Sequence, residues 1–214
     1  KLKKLMKMIY NNIESKIANF SHEFEKKLLD LIPKTQHFSD KLNKAMSYVI
    51  RVGGKRLRPI LVDEISSILN VNKEHSNRVG ASVEFIHCYS LVHDDLPAMD
   101  NDDMRRGNAT CHKKFDDATA ILVGDAFQSL AFQILTDKKT HNDSTIRCRL
   151  VEELTFSAGL QGMVGGQMLD LEAEKKTLNL KNIYQLQSLK TGELFRFSCI
   201  APCILANKEK EIEI

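Results

Sequence analysis

The sequence predicts an all-α fold, a helical bundle, and three observations carry that expectation. Apolar residues recur at three- and four-residue steps along most of the chain, the mark of helices with one buried face. Strand-like alternation is scarce, and 214 residues include only 4 prolines and 10 glycines, few breakers for a chain of this size. The length suffices to bury a substantial core. A formal charge of +3, with no basic stripe interleaved with aromatics, gives no reason to expect a nucleic-acid partner. The 5 cysteines are odd in number and form no CxxC pair. Cys199 and Cys203 stand one helical turn apart without neighbouring histidines, so no zinc site is expected. A reduced, cytoplasmic setting follows. No apolar run approaches a membrane span, so stable membrane insertion is not expected. The basic start KLKKLMKM lacks the apolar core of a signal peptide.

The elements follow in order. Residues 1–32 read as one amphipathic helix, with Leu5, Ile9, Ile13, Ile17, Phe20 and Phe24 on its apolar face. Pro33 stops it, and Ser39 with Asp40 caps a helix over 41–52. The paired glycines Gly53 and Gly54 free the backbone for a tight turn and a close approach to a ligand. Lys55, Arg56 and Arg58 follow directly; the GxxxxGK[ST] spacing of a P-loop is absent. Taken alone, this reads as an exposed basic turn. Two apolar helices cover 60–70 and 77–96. Asp116-Asp117 caps a helix over 118–135, which is apolar nearly all round and therefore expected at the bundle's centre. After a polar loop over 136–145, a helix is expected from Ile146 to Glu174. Gly159, Gly162, Gly165 and Gly166 lie inside it, each costing about 1 kcal/mol against alanine, a cost that marks close packing or ligand approach. Gln167 and Asp170 share a face there. A last helix covers 193–206.

The helix over 77–96 opens into an acid-dense run: Asp94, Asp95, Asp100, Asp102 and Asp103, with Arg105 and Arg106 following. Crowded carboxylates repel one another and call for cations. Mg²⁺ fits, because it binds through a few carboxylates plus substrate phosphates. Arginines beside such a site suit phosphate oxygens, so a diphosphate-bearing substrate is expected. Asp94 and Asp100 would lie roughly 120° apart on an unbroken helix. Pro97 disfavours continuation, so the helix should end near Leu96 and a loop should fold Asp100 back toward Asp94. His87, two turns below Asp94, shares its face. A solvated acidic loop above a core histidine would fit the same residues.

The run DDLPAMD followed by RRG resembles the first aspartate-rich motif of the trans-isoprenyl diphosphate synthases. The likeness is to the bacterial farnesyl type and its plant-type geranylgeranyl relatives, in which four residues separate the aspartate pair from the third aspartate. It extends through SLVHDDLPAMDNDDMRRG, NATCHKKF and GDAF, covering about Gly53 to Ala206. The segment GGKRLRP resembles the family's GGKRxRP, GGQMLDL its GGQxxDL, and Lys190-Thr191-Gly192 its KTG break.

The resemblance implies an isoprenoid synthase helical bundle around a central cavity, and a homodimer. It implies condensation of isopentenyl diphosphate with an allylic diphosphate, dimethylallyl or geranyl, to give farnesyl diphosphate. Carried over, Lys55, Arg58, His87 and Arg106 hold isopentenyl diphosphate. Asp94, Asp95 and Asp100 hold Mg²⁺ against the allylic diphosphate, and Arg105 and Lys190 neutralise the departing pyrophosphate. Thr191, Gln167 and Asp170 line the allylic side. Phe85, Leu91, Phe127 and Phe132 are expected to wall the cavity against water. Tyr89, five residues before Asp94, corresponds to the aromatic floor that limits tail length; a smaller residue there marks the geranylgeranyl type. The family's second aspartate-rich motif is absent, so residues 1–214 read as a single domain of this kind, incomplete at its C-terminus. Two other readings stand beside this one: a geranylgeranyl synthase, and a non-catalytic regulatory subunit. A terpene cyclase shares the architecture but needs no isopentenyl site, so Lys55, Arg58 and His87 argue against it.

Overall fold

The computed structural model describes residues 2–34, 40–174 and 177–208, with side chains from Asn12 onward. Ser39, the side chains of Leu5 and Ile9 and the end of the chain beyond Lys208 lie outside the described residues. The expected helices are present, with one correction. Among the described residues the order is α1 (Leu2–Leu31), α2 (Asp40–Arg51), α3 (Leu57–Ile68), α4 (Lys73–Asp94), a hairpin of β1 (Met104–Arg105) and β2 (Asn108–Ala109), α5 (Cys111–Lys114) and α6 (Asp117–Thr136). Then come α7 (Ser144–Ala158), α8 (Met163–Ala173), α9 (Leu180–Gln187), a π turn (Ser188–Gly192) and α10 (Glu193–Leu205).

The correction concerns α7 and α8, expected as one helix from Ile146 to Glu174. A Cβ on Gly162 would come within 2.1 Å of the Ser157 carbonyl, and one on Gly165 within 2.0 Å of the Leu160 carbonyl. The glycines break the helix over 159–162 and let the chain turn tightly there.

The centre of the bundle is α4, not α6. Every residue of α4 from Arg78 to Ile86 is buried, because α3, α6 and α10 all pack on it. Asn72 caps its start, accepting from the Glu74 amide at 2.8 Å. Phe85 stacks on Phe127 of α6, ring centroids 5.4 Å apart, and both are fully buried. Each such side chain contributes about 1.5–3 kcal/mol on burial. Phe24 and Leu28 of α1 join the core, whereas Ile13 is 52% exposed. Phe24 reaches Gly80 of α4, where an added Cβ would meet its ring at 3.3 Å.

The expectation of no span-length apolar stretch is corrected as well. By length and composition α6 could cross a membrane, with half of its apolar window buried inside the fold. Its inner face carries Val123, Phe127 and Ile134 in the core, and Leu122 is exposed. Asp116 caps α6 as expected, its carboxylate accepting from the Thr119 amide at 2.7 Å.

Candidate active site

The end of α4 supplies the first wall. The helix stops at Asp94, and the chain folds back so that the Asp100 amide donates to the Asp94 carbonyl at 2.9 Å. The expected return of Asp100 is therefore present. Burial pushes the Asp94 carboxyl up to about 6; Lys190 opposes that rise and the Asp100 carboxylate adds to it. A half-buried carboxyl with a second carboxylate folded back beside it attracts a cation. Asp95 parts company with them. It is 3% exposed and gripped by Arg105, whose Nε lies 2.8 and 3.0 Å from its two oxygens, with Nη2 at 2.5 Å. Among the described residues no three His, Cys, Asp or Glu side chains group closely enough to cage a metal alone.

Arg105 and Arg106 owe their placement to the hairpin, which sequence patterning did not reveal. Met104 pairs with Ala109 and Arg105 with Asn108. Arg106 and Gly107 turn between the strands at φ 52° and 78°, a twist that suits two-residue hairpins. Adjacent arginines thus serve different places: Arg105 holds Asp95, and Arg106 lies over Gly54, where a Cβ would come within 2.4 Å of its Nη1.

That contact closes a basic cavity of about 450 Å³ lined by Gly54, Lys55, Arg58, His87 and Arg106, with Arg56 and Glu84 beneath. The four cationic or basic residues expected to share a site do share one. Arg56, the middle cation of the basic cluster, is turned away from the cavity mouth. Its φ of 50° turns it inward, where Nη1 meets Glu84 at 2.6 Å and Nη2 the Ile50 carbonyl at 2.6 Å. Arg58 lies 4.6 Å from the Phe195 ring centroid. Its buried Nε has no partner, and burial lowers its pKa. The His87 imidazole is pushed well below its ordinary value by burial and then by Arg58, Arg106, Arg56 and Arg105. With Glu84 committed to Arg56, the cavity keeps an excess of cationic groups, chemistry suited to an anion.

Next to it lies a second cavity of about 610 Å³. Arg58 and His87 line both, so they form a shared wall. The Asp94 end carries Lys190 and Thr191; away from it the lining is mostly apolar, with Leu91, Leu96, Met99, Met163, Met168 and Leu171, alongside Ser90, His93 and Gln167. Of the four side chains expected as walls only Leu91 lines it. Phe85 and Phe127 are in the core, and Phe132 packs against that core from outside. Helical periodicity identifies a buried face without saying whether a neighbouring helix or a cavity covers it. Tyr89 lines the cavity with its ring edge-on to His93, 5.1 Å between centroids. His93, directly before Asp94 in sequence, was not singled out by the sequence.

Lys190 reaches the cavity because the helix widens into a π turn there, a distortion frequent at functional sites. Gly166 permits the approach, since a Cβ on it would meet the Lys190 amide nitrogen at 2.2 Å. Lys190 is paired with Asp170. Gln167 lines the cavity with both polar atoms of its amide buried and unpartnered.

An α-helical bundle that sets a carboxylate-topped apolar cavity against a basic one has the architecture of an isoprenoid synthase. The chain belongs to the polyprenyl synthetase family, whose model matches residues 39–214. It is 41% identical to the farnesyl diphosphate synthase of Bacillus subtilis over 94% of this chain and 68% of that protein. It is 48% identical to that of Escherichia coli over 72% of this chain and 52% of that protein. The chain thus spans between about half and two thirds of these curated relatives. Among solved structures, the FPP/GFPP synthase of Zymomonas mobilis superposes with a TM-score of 0.88 at 44% identity, covering 94% of this chain and 73% of that one.

Proposed function

We propose that this chain carries the substrate sites of a prenyltransferase that joins isopentenyl diphosphate to dimethylallyl and geranyl diphosphates, giving farnesyl diphosphate. One observation carries the reading: the basic and the apolar cavity meet at the wall formed by Arg58 and His87. Two diphosphates seated there would bring their reacting carbons together. Relatives named as farnesyl diphosphate synthases support the product.

In this reading Lys55, Arg58 and Arg106 grip the isopentenyl diphosphate, with the buried His87 imidazole beside them. Lys190 leaves Asp170 for the allylic diphosphate, with Thr191 and Gln167 beside it. The allylic C–O bond breaks with its electron pair on the departing diphosphate. The isopentenyl double bond attacks the carbocation, and the proton released passes to that diphosphate. The methionine and leucine walls exclude water that would quench the cation.

Residues present at the mouth fit a divalent ion: burial and the neighbouring Asp100 carboxylate disfavour the charge on Asp94, and a bound cation would relieve it. Mg²⁺ is the ion we infer, supplying charge neutralisation at the leaving group when bound. Asp94 and Asp100 would hold it, while Asp95, assigned to the metal by resemblance, serves by fixing Arg105 near the same charge. Tyr89 limits tail length. A cytoplasmic homodimer is the setting we infer, supported by five free cysteines and by the exposed Leu122 on α6.

The test is condensation of labelled isopentenyl diphosphate with geranyl diphosphate by the purified protein in Mg²⁺. Farnesyl diphosphate should form, and Asp94→Asn should abolish it while isopentenyl diphosphate still binds. Near-normal turnover by Asp94→Asn would refute the assignment.

A further inference from the structure

Tyr89 does not stand alone at the wall of the larger cavity. Its ring is met edge-on by His93 at 5.1 Å. Nε2 of His93 lies 3.0 Å from the Ile121 carbonyl of α6. The same ring fills the space beside Gly124 so closely that an added Cβ would lie 2.1 Å from Nε2, 2.4 Å from Cδ2 and 2.8 Å from Cε1. Real Cβ atoms do not approach ring atoms to such distances, so any side chain at position 124 displaces the imidazole. Tyr89, His93 and Ile121 all line the cavity. Gly124 is buried on the face of α6 that packs against α4.

These contacts form a chain: Gly124 admits the His93 ring, the Ile121 carbonyl holds it there, and the held ring backs Tyr89. A carbonyl acceptor on Nε2 also fixes the tautomer with hydrogen on Nε2, since a carbonyl can only accept. We infer that the His93–Gly124 interlock positions Tyr89 and thereby sets the length of isoprenoid tail the cavity accepts. The inference rests on the reading of this cavity as the allylic site. His93 and Gly124 are positioning residues in it: they act on the tail through the placement of one aromatic ring.

Two opposite perturbations follow. Gly124→Ala forces the imidazole away from α6 and into the cavity it lines, shortening the space. His93→Ala removes the backing of Tyr89 and opens the space. The double variant His93→Ala/Gly124→Ala has room for the new Cβ, so the damage of Gly124→Ala should be undone. Rescue of the melting temperature in the double variant reports relief of the clash between the new Cβ and the His93 ring; the tail-length profile of His93→Ala reports the cavity.

The experiment is calorimetric titration of the wild-type chain and the three variants, in Mg²⁺, with geranyl, farnesyl and geranylgeranyl diphosphates. Thermal melts are recorded in parallel. His93→Ala should gain about tenfold or more in affinity for geranylgeranyl diphosphate with geranyl affinity little changed, the scale on which apolar pockets discriminate chain length. Gly124→Ala should lose about tenfold for farnesyl diphosphate while retaining geranyl, and the double variant should recover it together with its melting temperature. His93→Ala keeps the idea falsifiable should Gly124→Ala fail to fold. An unchanged length profile in His93→Ala, with geranyl diphosphate still bound, overturns the interlock and leaves the allylic site standing. A double variant as impaired as Gly124→Ala does the same. A folded wild-type chain that binds inorganic diphosphate but discriminates no prenyl chain overturns the allylic reading itself, and the interlock falls with it.

Discussion

Arg56 and Glu84, beneath the basic cavity, should contribute strongly to the stability of this fold. Their side chains are 2% and 3% exposed, and Arg56 holds a left-handed φ of 50° that costs a residue with a Cβ roughly 1–2 kcal/mol. The bonds to Glu84 and to the Ile50 carbonyl offset that strain and tie the Gly53-Gly54 turn to α4. Glu84→Gln preserves shape and one acceptor but leaves a buried guanidinium without its counter-charge. Breaking a buried pair from one side costs about 3–5 kcal/mol. For a chain of this size, 1 kcal/mol moves Tm by about 2–4 °C, so the lower figure corresponds to a fall of roughly 6–12 °C. Circular dichroism melts measure it. The paired change Arg56→Met/Glu84→Leu, which removes both charges, should recover most of the loss. Diphosphate affinity should fall in Glu84→Gln, since Lys55 and Arg58 flank the residue that has lost its anchor. A melting temperature within about 2 °C of wild type would refute the reasoning, because exposed pairs behave that way.

Three further outcomes follow from the same geometry. Asp94 has its pKa raised from 3.8 to about 6; in that window the folded chain holds a proton the unfolded chain has released, so stability falls as pH rises through it. Urea midpoints in EDTA should show that decline, and Asp94→Asn should flatten it. Gly166→Ala puts a Cβ 2.2 Å from the Lys190 amide nitrogen; overpacking should cost about 1–3 kcal/mol and reduce allylic diphosphate binding, as read by urea unfolding and titration. Burial pushes the Cys88 and Cys111 thiols up to about 12, while Cys148 and Cys199 are exposed. A thiol reagent at mildly alkaline pH should label the exposed pair first, with mass spectrometry of digested protein identifying the sites; rapid labelling of Cys88 would contradict its burial.

The helices and the return of Asp100 to Asp94 were legible because periodicity and a proline act locally. The motifs likewise located Lys55, Arg58, His87 and Arg106, which do line one cavity. What escaped the sequence depends on which object faces a residue. Phe85 and Phe127 lie on apolar faces like Leu91, yet they meet each other across a helix interface while Leu91 meets the cavity. Arg56 sits between two cations that line the basic cavity, and a left-handed backbone angle, invisible in its residue type, sends it inward. The run of glycines in 159–166 marked close approach correctly at Gly166, but at Gly162 it marked a broken helix. The same residue type serves both purposes. Asp94 and Asp95 are adjacent in sequence and part in space because only one of them meets Arg105.

The wall shared by the two cavities also bears on inhibition. Occupants on either side of Arg58 and His87 draw on the same guanidinium and imidazole, so neither can bind with an affinity indifferent to the other. That coupling is reciprocal by thermodynamic necessity. A substitution at Arg58 should therefore change both apparent affinities, and cannot be apportioned to one ligand. A single molecule with an anionic group in each cavity would turn the second contact into an intramolecular one, at an effective concentration set by its linker. Its selectivity would then depend on the thickness of that wall, a dimension neither cavity possesses separately.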